Sequence, residues 1–561
     1  MKFPLRTHIC RELLLLFTIY EPLAYTQNSG ARLLDAATRG ELENVRAAIA
    51  AGAPVDARDE SGRTALLLTM QGSSAFDYRL IGANEPIARF LIEHGAGINV
   101  QDNQGWSPLA KLLDQLEDQP RLVEFLIGHG ANVNAQLRDG RTPLMIAARF
   151  GWEDALLILL NNGAVVDARD AQGRTALIVA VTCVWDKDNS ALTLLLDRGA
   201  DPNVTNAEGR GAADLAAHGG WPERLGLLLE KGAKVKDRDR LILLARANAL
   251  LHAASSGDGD RVKAMLDAGA NPDFLDPDAP NPERQTPLLE AVRFDRRLAV
   301  IALLKRNPDV NIANRDGSTP LMEAADRFNA EIVKMLLDHG ADVKARDKNG
   351  NTALIRATDS RRSWDEKQEA LIPSLLEKGA EVNVHNAKGQ TPLMLTAREG
   401  NSALLELLKR GADVDARDVD GNTPLLYATS YFARGDQRNA GEALLEAGAD
   451  VNATNKDMET PLLRAARQFD AGGVAMLLDH HAAINAQDKN GRTALMRAID
   501  GPEQFDNTNH IVYSPRIAQL LVERGADLAL RDAQGDTALK IARRRAYPIM
   551  VKLLEDHGAK E

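Results

Sequence analysis

The chain has 561 residues, a formal net charge of −11 and 26% charged residues, with Lys and Arg interleaved among Asp and Glu along its length. A dedicated nucleic-acid binder carries a basic face, which this balance argues against. The two cysteines, Cys10 and Cys183, fall in no CxxC or Cys/His spacing, so neither a disulfide framework nor a patterned zinc site is expected and stability must come from apolar burial.

The first predicted element lies within residues 1–26. Lys2, Arg6 and Arg11 precede the apolar run from Leu13 to Tyr20, which Glu21 and Pro22 interrupt. That order of basic, apolar and polar zones resembles a secretory signal peptide, with Ala24 and Thr26 as the small-residue pair and Gln27 as the mature terminus. The other reading is a retained N-terminal helix. With a genuine leader the location is extracytoplasmic, periplasmic or secreted; without one it is cytoplasmic. The run is shorter than the roughly 20 apolar residues a bilayer span needs.

From residue 27 onward one phrase recurs: Thr142-Pro-Leu-Met145, Thr286-Pro-Leu-Leu289, Thr319-Pro-Leu-Met322, Thr391-Pro-Leu-Met394, Thr423-Pro-Leu-Leu426 and Thr460-Pro-Leu-Leu463. Ala replaces Pro after Thr64, Thr175, Thr352, Thr493 and Thr537, and the shortest step, Thr142 to Thr175, is 33 residues. The threonine suits a helix N-cap and the proline suits the first helical position, where a missing N–H costs nothing. The spacing predicts an inner helix over 142–149, a turn at Phe150 and Gly151, an outer helix from Glu153 to Asn161, and Gly163 as a left-handed stop. Between units lies a polar stretch rich in Asp and Gly, as at Val166 to Thr175, which is turn chemistry.

The period and the T-P-L-x-x-A core resemble the ankyrin-repeat family, from about Ala31 to Glu561. The resemblance implies an all-α ankyrin-repeat solenoid of about fifteen helix-turn-helix units with projecting β-hairpin loops, counting degenerate heads at Ala31, Ser107, Gly211 and Ala249. The dense repeats and the leader together resemble an exported bacterial member. The pattern breaks after Lys236, where Asp237-Arg-Asp-Arg240 runs into Leu241-Ile-Leu-Leu244 without a finger turn. Two blocks are expected, 27–236 and 249–561, joined by a short helical bridge over 237–248 that is irregular in its repeat pattern; the alternative is one superhelix with one defective finger. Insertions between inner and outer helices fall at Gly72–Asn84, Asp359–Glu369 and Gly501–Pro515, and one in a finger at Asp276–Pro282.

Three tryptophans share one phase: Trp152, Trp185 and Trp221 each lie ten residues after a head, and either form a partner-anchoring row or fill seams between units. Arginines recur on the inner helices: Arg149, Arg293, Arg398 and Arg467 at seven residues after the head, and Arg356, Arg464 and Arg497 at four. A spacing of three places both sets on one helix face, which in ankyrin repeats lines the concave groove. With the neighbouring Phe150, Phe294 and Phe328 they suit an acidic or carboxylate-bearing segment. The competing reading pairs these arginines with Glu290, Glu323 or finger aspartates. His94, His129, His339, His481 and His557 end outer helices, where a cation suits the helix dipole. Asp418-Val-Asp420-Gly421 and similar turns fail as calcium loops because Ala416 takes the first ligand position.

Neither a P-loop, a G-x-S-x-G elbow nor H-E-x-x-H occurs. The expectation is a non-catalytic scaffold with no catalytic residue, metal or cofactor. Its partner would be a protein and not a nucleic acid, and the mature chain would be a monomer without a transmembrane segment. The alternatives are a secreted effector or regulatory inhibitor, and an enzyme built on the insertions.

Overall fold

The computed structural model describes residues 29–71, 84–115, 118–183, 188–275, 285–359, 370–400, 402–429, 435–468, 470–500 and 515–560. The expected leader, Trp185 and nearly all of the insertions lie outside them. The described residues carry thirty α-helices in fifteen consecutive inner–outer pairs, from Ser29–Arg39 with Leu42–Ala50 to Ala538–Arg544 with Pro548–Asp556. None of these helices is long and apolar enough to cross a membrane. The chain divides into two compact units at Ala249 and Leu250.

Each inner helix starts where its head residue caps it. Thr142 Oγ1 accepts the Met145 N–H at 3.4 Å, and Thr286 Oγ1 accepts that of Leu289 at 3.2 Å. The degenerate head Ser107 does the same for Ala110 at 3.3 Å. Gly211 has no side chain to offer, and there Asp214 Oδ2 accepts the Gly211 N–H at 3.1 Å. Ala31 and Ala249 are not helix starts: both lie inside helices, Ser29–Arg39 and Arg238–Ser256. The second of these carries the bridge over 237–248 on as continuous helix to Ser256. With no finger turn and neither Gly nor Pro from 238 to 256, nothing in that stretch stops a helix from propagating.

Pairs stack through leucines that the period places inward. In the second unit Leu321, Leu354, Leu393 and Leu425 on inner helices, and Leu336, Leu375 and Leu407 on outer ones, are at most 1% exposed and share one core. Helices of five to twelve residues are marginal in water by themselves, so each depends on its neighbours.

The fingers are turns, not paired strands; among the described residues the single bridge is Thr205 with Gly211. Asp170 shows the construction. Its Oδ1 accepts the Gln172 and Arg174 N–H groups at 3.0 and 2.8 Å. One backbone bond then joins each finger to the next: Ala171 N–H to Asp139 O, Ala207 to Gln172, Lys348 to Asp316, Ala387 to Asn349 and Val419 to Lys388, all at 2.8–3.0 Å. That close approach fixes the glycine at the tip. Gly389 has φ +74°, and a Cβ there would lie 2.9 Å from the Val419 backbone nitrogen.

The turn after each inner helix needs a left-handed residue nine positions after the head. Gly151, Gly220 and Gly400 supply it, but Asp295, Phe328 and Ala546 adopt φ +57°, +57° and +54° in its place. The left-handed conformation costs an L-residue about 1–2 kcal/mol. Ala546→Gly is therefore expected to stabilise the chain by about 0.5–1 kcal/mol after the glycine entropy penalty, read as a higher urea midpoint at unchanged slope. A lower midpoint would contradict this. Phe328 also leaves the set of groove candidates: it is 7% exposed and belongs to the core, because the left-handed turn tucks its ring inward.

Candidate functional site

In the first unit the fingers and inner helices enclose a groove of about 750 Å³. Its floor is Met145, Ile146, Ile178, Val179 and Leu215, and its walls carry Arg141, Arg149, Arg174 and Arg210 with Asp139 and Glu208. Three of the arginines sit one residue before a repeat head, a register the sequence reading passed over. Arg63 also holds this place, and Trp106 stands there before Ser107. The signal that finds the row is the residue preceding each Thr, read down the column of repeats.

Finger carboxylates hold these arginines by one edge. Arg141 Nε donates to Asp139 Oδ2, Arg174 Nε to Asp170 Oδ2 and Arg63 Nε to Asp59 Oδ2, each at 2.7 Å. Arg210 pairs with Glu208. Burial alone would raise the Asp139 pKa, but the Arg141 hydrogen bond and charge outweigh it and hold the carboxyl below its ordinary range. The Trp106 ring lies between cations, with Lys111 Nζ 4.9 Å and the Arg141 guanidinium 5.4 Å from its centroid.

A second groove, of about 520 Å³, lies in the second unit and is lined by Gln285, Leu289, Arg293, Arg315, Glu323 and Arg356 among others. The register before the head is uncharged around this groove, at Gln285, Ser318, Asn351, Gln390 and Asn422, and is of mixed charge further on, at Glu459, Arg492 and Asp536. Its amides accept bonds along the stack, Asn351 Oδ1 from Asn386 Nδ2 at 3.3 Å and Asn422 Oδ1 from Asn455 Nδ2 at 3.0 Å.

The seven arginines marked from the sequence divide by register. Those four residues after the head are tied to finger carboxylates. Arg356 Nη2 bonds Asp347 Oδ2 at 2.6 Å, Arg497 bonds Asp488, and Arg464 bonds Glu459 at 2.8 Å, Asn422 Oδ1 at 2.9 Å and Leu426 O at 2.9 Å. Burial would lower the Arg356 pKa, but the Asp347 bond and charge reverse this and raise it. The position seven after the head is more open. Arg398 bridges Asp359 at 2.7 Å and Glu399 at 2.8 Å. Arg467 approaches Glu459 only at 3.7 Å, Arg293 lies over exposed Phe294 at 6.0 Å, and Arg149 lies over Phe150 at 5.3 Å.

Trp152 and Trp221 both stand immediately before outer helices, half-buried. Trp152 stacks on Phe150 with centroids 5.7 Å apart, and Trp221 lies over Arg224, itself 5% exposed and bonded to Asn189 Oδ1 at 2.8 Å. Of the histidines, His94, His129, His339 and His557 hold the carbonyl four residues back through Nδ1 at 2.7–2.8 Å. His481 is instead itself the left-handed stop, φ +66°.

The same finger logic builds a half-buried phenol. Tyr427 donates to Asp418 Oδ2 at 2.8 Å and accepts from Gln390 Nε2 at 2.9 Å. Burial first, and then the Asp418 bond and charge, push its pKa up to about 12 against the opposing pull of Gln390. The fold thus keeps a proton that the unfolded phenol loses near pH 10. This contribution is whole below pH 10 and is lost as pH rises to 12. Stability of the native chain should fall more steeply over that interval than that of Tyr427→Phe; parallel curves would contradict the assignment.

Tandem helix pairs, linked fingers and side-chain-lined grooves define an all-α repeat protein. A family model described as ankyrin repeats (3 copies) matches residues 113–206, 288–366, 363–455 and 430–512, more than half the chain, and the chain belongs to the ankyrin-repeat family. One curated relative, the RelA-associated inhibitor of Mus musculus, is 40% identical over 77 residues. The matched stretch is 14% of this chain and only 8% of that protein. Ankyrin repeats are protein-interaction modules, and proteins built from them are in general non-catalytic.

Proposed function

We propose that the chain is a non-catalytic scaffold that binds a protein partner along the face shared by fingers and inner helices. The observation carrying this reading is the first-unit groove, where an apolar floor is walled by guanidinium groups fixed in place from behind. Groups ordered before binding lose less entropy on association. We place the chain outside the cytoplasm, following the leader-like residues 1–26 and the likeness to exported bacterial repeats.

A tagged full-length chain recovered from fractionated source cells tests both. The expected result is an N-terminus near Gln27, an extracytoplasmic fraction and one stoichiometric protein released by salt. An uncleaved cytoplasmic chain would overturn the location, and the absence of any salt-released protein would overturn the binding. A second reading, a regulatory inhibitor, is supported by the relative whose name carries that word. It predicts that the captured partner is an enzyme or regulator whose activity falls on binding.

A further inference from the structure

We infer that the groove of the first unit takes an extended protein segment bearing a carboxylate at every third residue with apolar or small residues between; the inference rests on the binding reading above and names the ligand of that site. Among its lining side chains four arginines face two carboxylates, and the third finger carboxylate, Asp170, has a fully buried side chain beneath Arg174. The groove therefore favours an anionic occupant.

The arginines are arranged to recognise carboxylates and not merely to attract them. Arg141 and Arg174 are each bonded through Nε to their own finger aspartate. Neither Arg141 Nη has a protein acceptor among the described residues, nor has Arg174 Nη1. The aspartate orients the guanidinium, and the remaining N–H groups form the edge that a second carboxylate can engage. Arg149 adds a cation with no hydrogen-bond or ion-pair partner among the described residues, placed over Phe150.

The period follows from the repeat. Arg141, Arg174 and Arg210 occupy the same place in consecutive units, and stacked helices lie about 8–10 Å apart. An extended segment in the polyproline-II conformation has three residues per turn and rises about 3.1 Å per residue, so every third side chain lies on one face and one unit corresponds to about three residues of ligand. Met145, Ile146, Ile178 and Val179 between the arginines meet the intervening side chains. Around the second groove that register holds Gln285, Ser318, Asn351, Gln390 and Asn422, and the later heads follow Glu459, Arg492 and Asp536, so the second unit has no run of consecutive arginines there.

Two fluorescein-labelled peptides of equal composition test this on the full-length chain by anisotropy: Glu-Val-Thr repeated to about twelve residues, and the same residues with every Glu in one block. The phased peptide should bind about tenfold tighter than the blocked one, and Arg149→Glu should weaken it by about tenfold or more, charge-assisted bonds being worth that much. Arg293→Glu, in the second groove, should leave it unchanged. Because Arg149 has no ion pair to lose, its variant should keep the native helical signal; Arg210→Gln, at an exposed pair, is a second variant with the same expected direction. Equal affinity for the two peptides, or no effect of Arg149→Glu, overturns the inference. If the captured protein partner binds while the phased peptide does not, the inference falls and the scaffold reading stands. If neither binds, both fall.

Discussion

Glu459→Ala lowers the stability of the second unit by about 3–5 kcal/mol, the cost of stranding a buried charge. The Glu459 side chain is 8% exposed and that of Arg464 12%, and the two meet through Arg464 Nε at 3.0 Å and Nη2 at 2.8 Å. Arg467 and Arg497 stand at 3.7 and 3.9 Å from the other carboxylate oxygen. Removing the carboxylate leaves Arg464 on two neutral acceptors, Asn422 Oδ1 and Leu426 O, with its counter-charge gone. Arg497 keeps Asp488 and suffers less. Replacing both partners, Glu459→Met with Arg464→Met, should recover much of the loss, since a buried pair exchanged for apolar groups of like volume is often neutral. Urea denaturation of the two variants decides it, and a loss of less than about 1 kcal/mol for Glu459→Ala would mean that the cluster is hydrated and weak.

Leu354→Ala is the second large effect, expected at about 2–5 kcal/mol for a leucine with no exposed surface. Its helix, Ala353–Thr358, has six residues and no stability of its own, so the damage should spread to what it packs against. Hydrogen exchange should rise first in 353–358 and in the adjoining inner helices Pro320–Asp326 and Pro392–Glu399, while the first unit keeps its protection. Uniform loss of protection along the chain would contradict nearest-neighbour stabilisation.

Much of the fold was legible because capping is local: a threonine, a proline and a glycine at fixed offsets specify where helices start and stop. Arg238–Ser256 runs on past the short helical bridge expected over 237–248 for the converse reason, since the loss of a finger motif gives the chain no instruction to stop being helical. Phe328 was misplaced because its burial follows from a left-handed φ at a non-glycine residue. The arginines four after the head were legible as a set, and it is their competing reading, pairing with finger carboxylates, that the structure shows; which carboxylate each one takes was not legible. Their partners lie nine residues back, as in Arg356 with Asp347 and Arg497 with Asp488, and become neighbours only when the finger folds against its helix. Tyr427 with Asp418 obeys the same rule. Arg464 departs from it because Asn455 occupies the finger position and Glu459 takes over. The row at Arg141, Arg174 and Arg210 lies on the fingers, before each head, and so carries no helical periodicity to mark it.

The most direct test is photo-crosslinking in the source cells, with a benzophenone amino acid placed singly at Arg149, at Val179 and, on outer helices, at Leu405 and Glu124. A partner held between fingers and inner helices yields one common adduct from Arg149 and Val179 and none from Leu405 or Glu124. Adducts from the outer-helix positions alone would contradict the binding face.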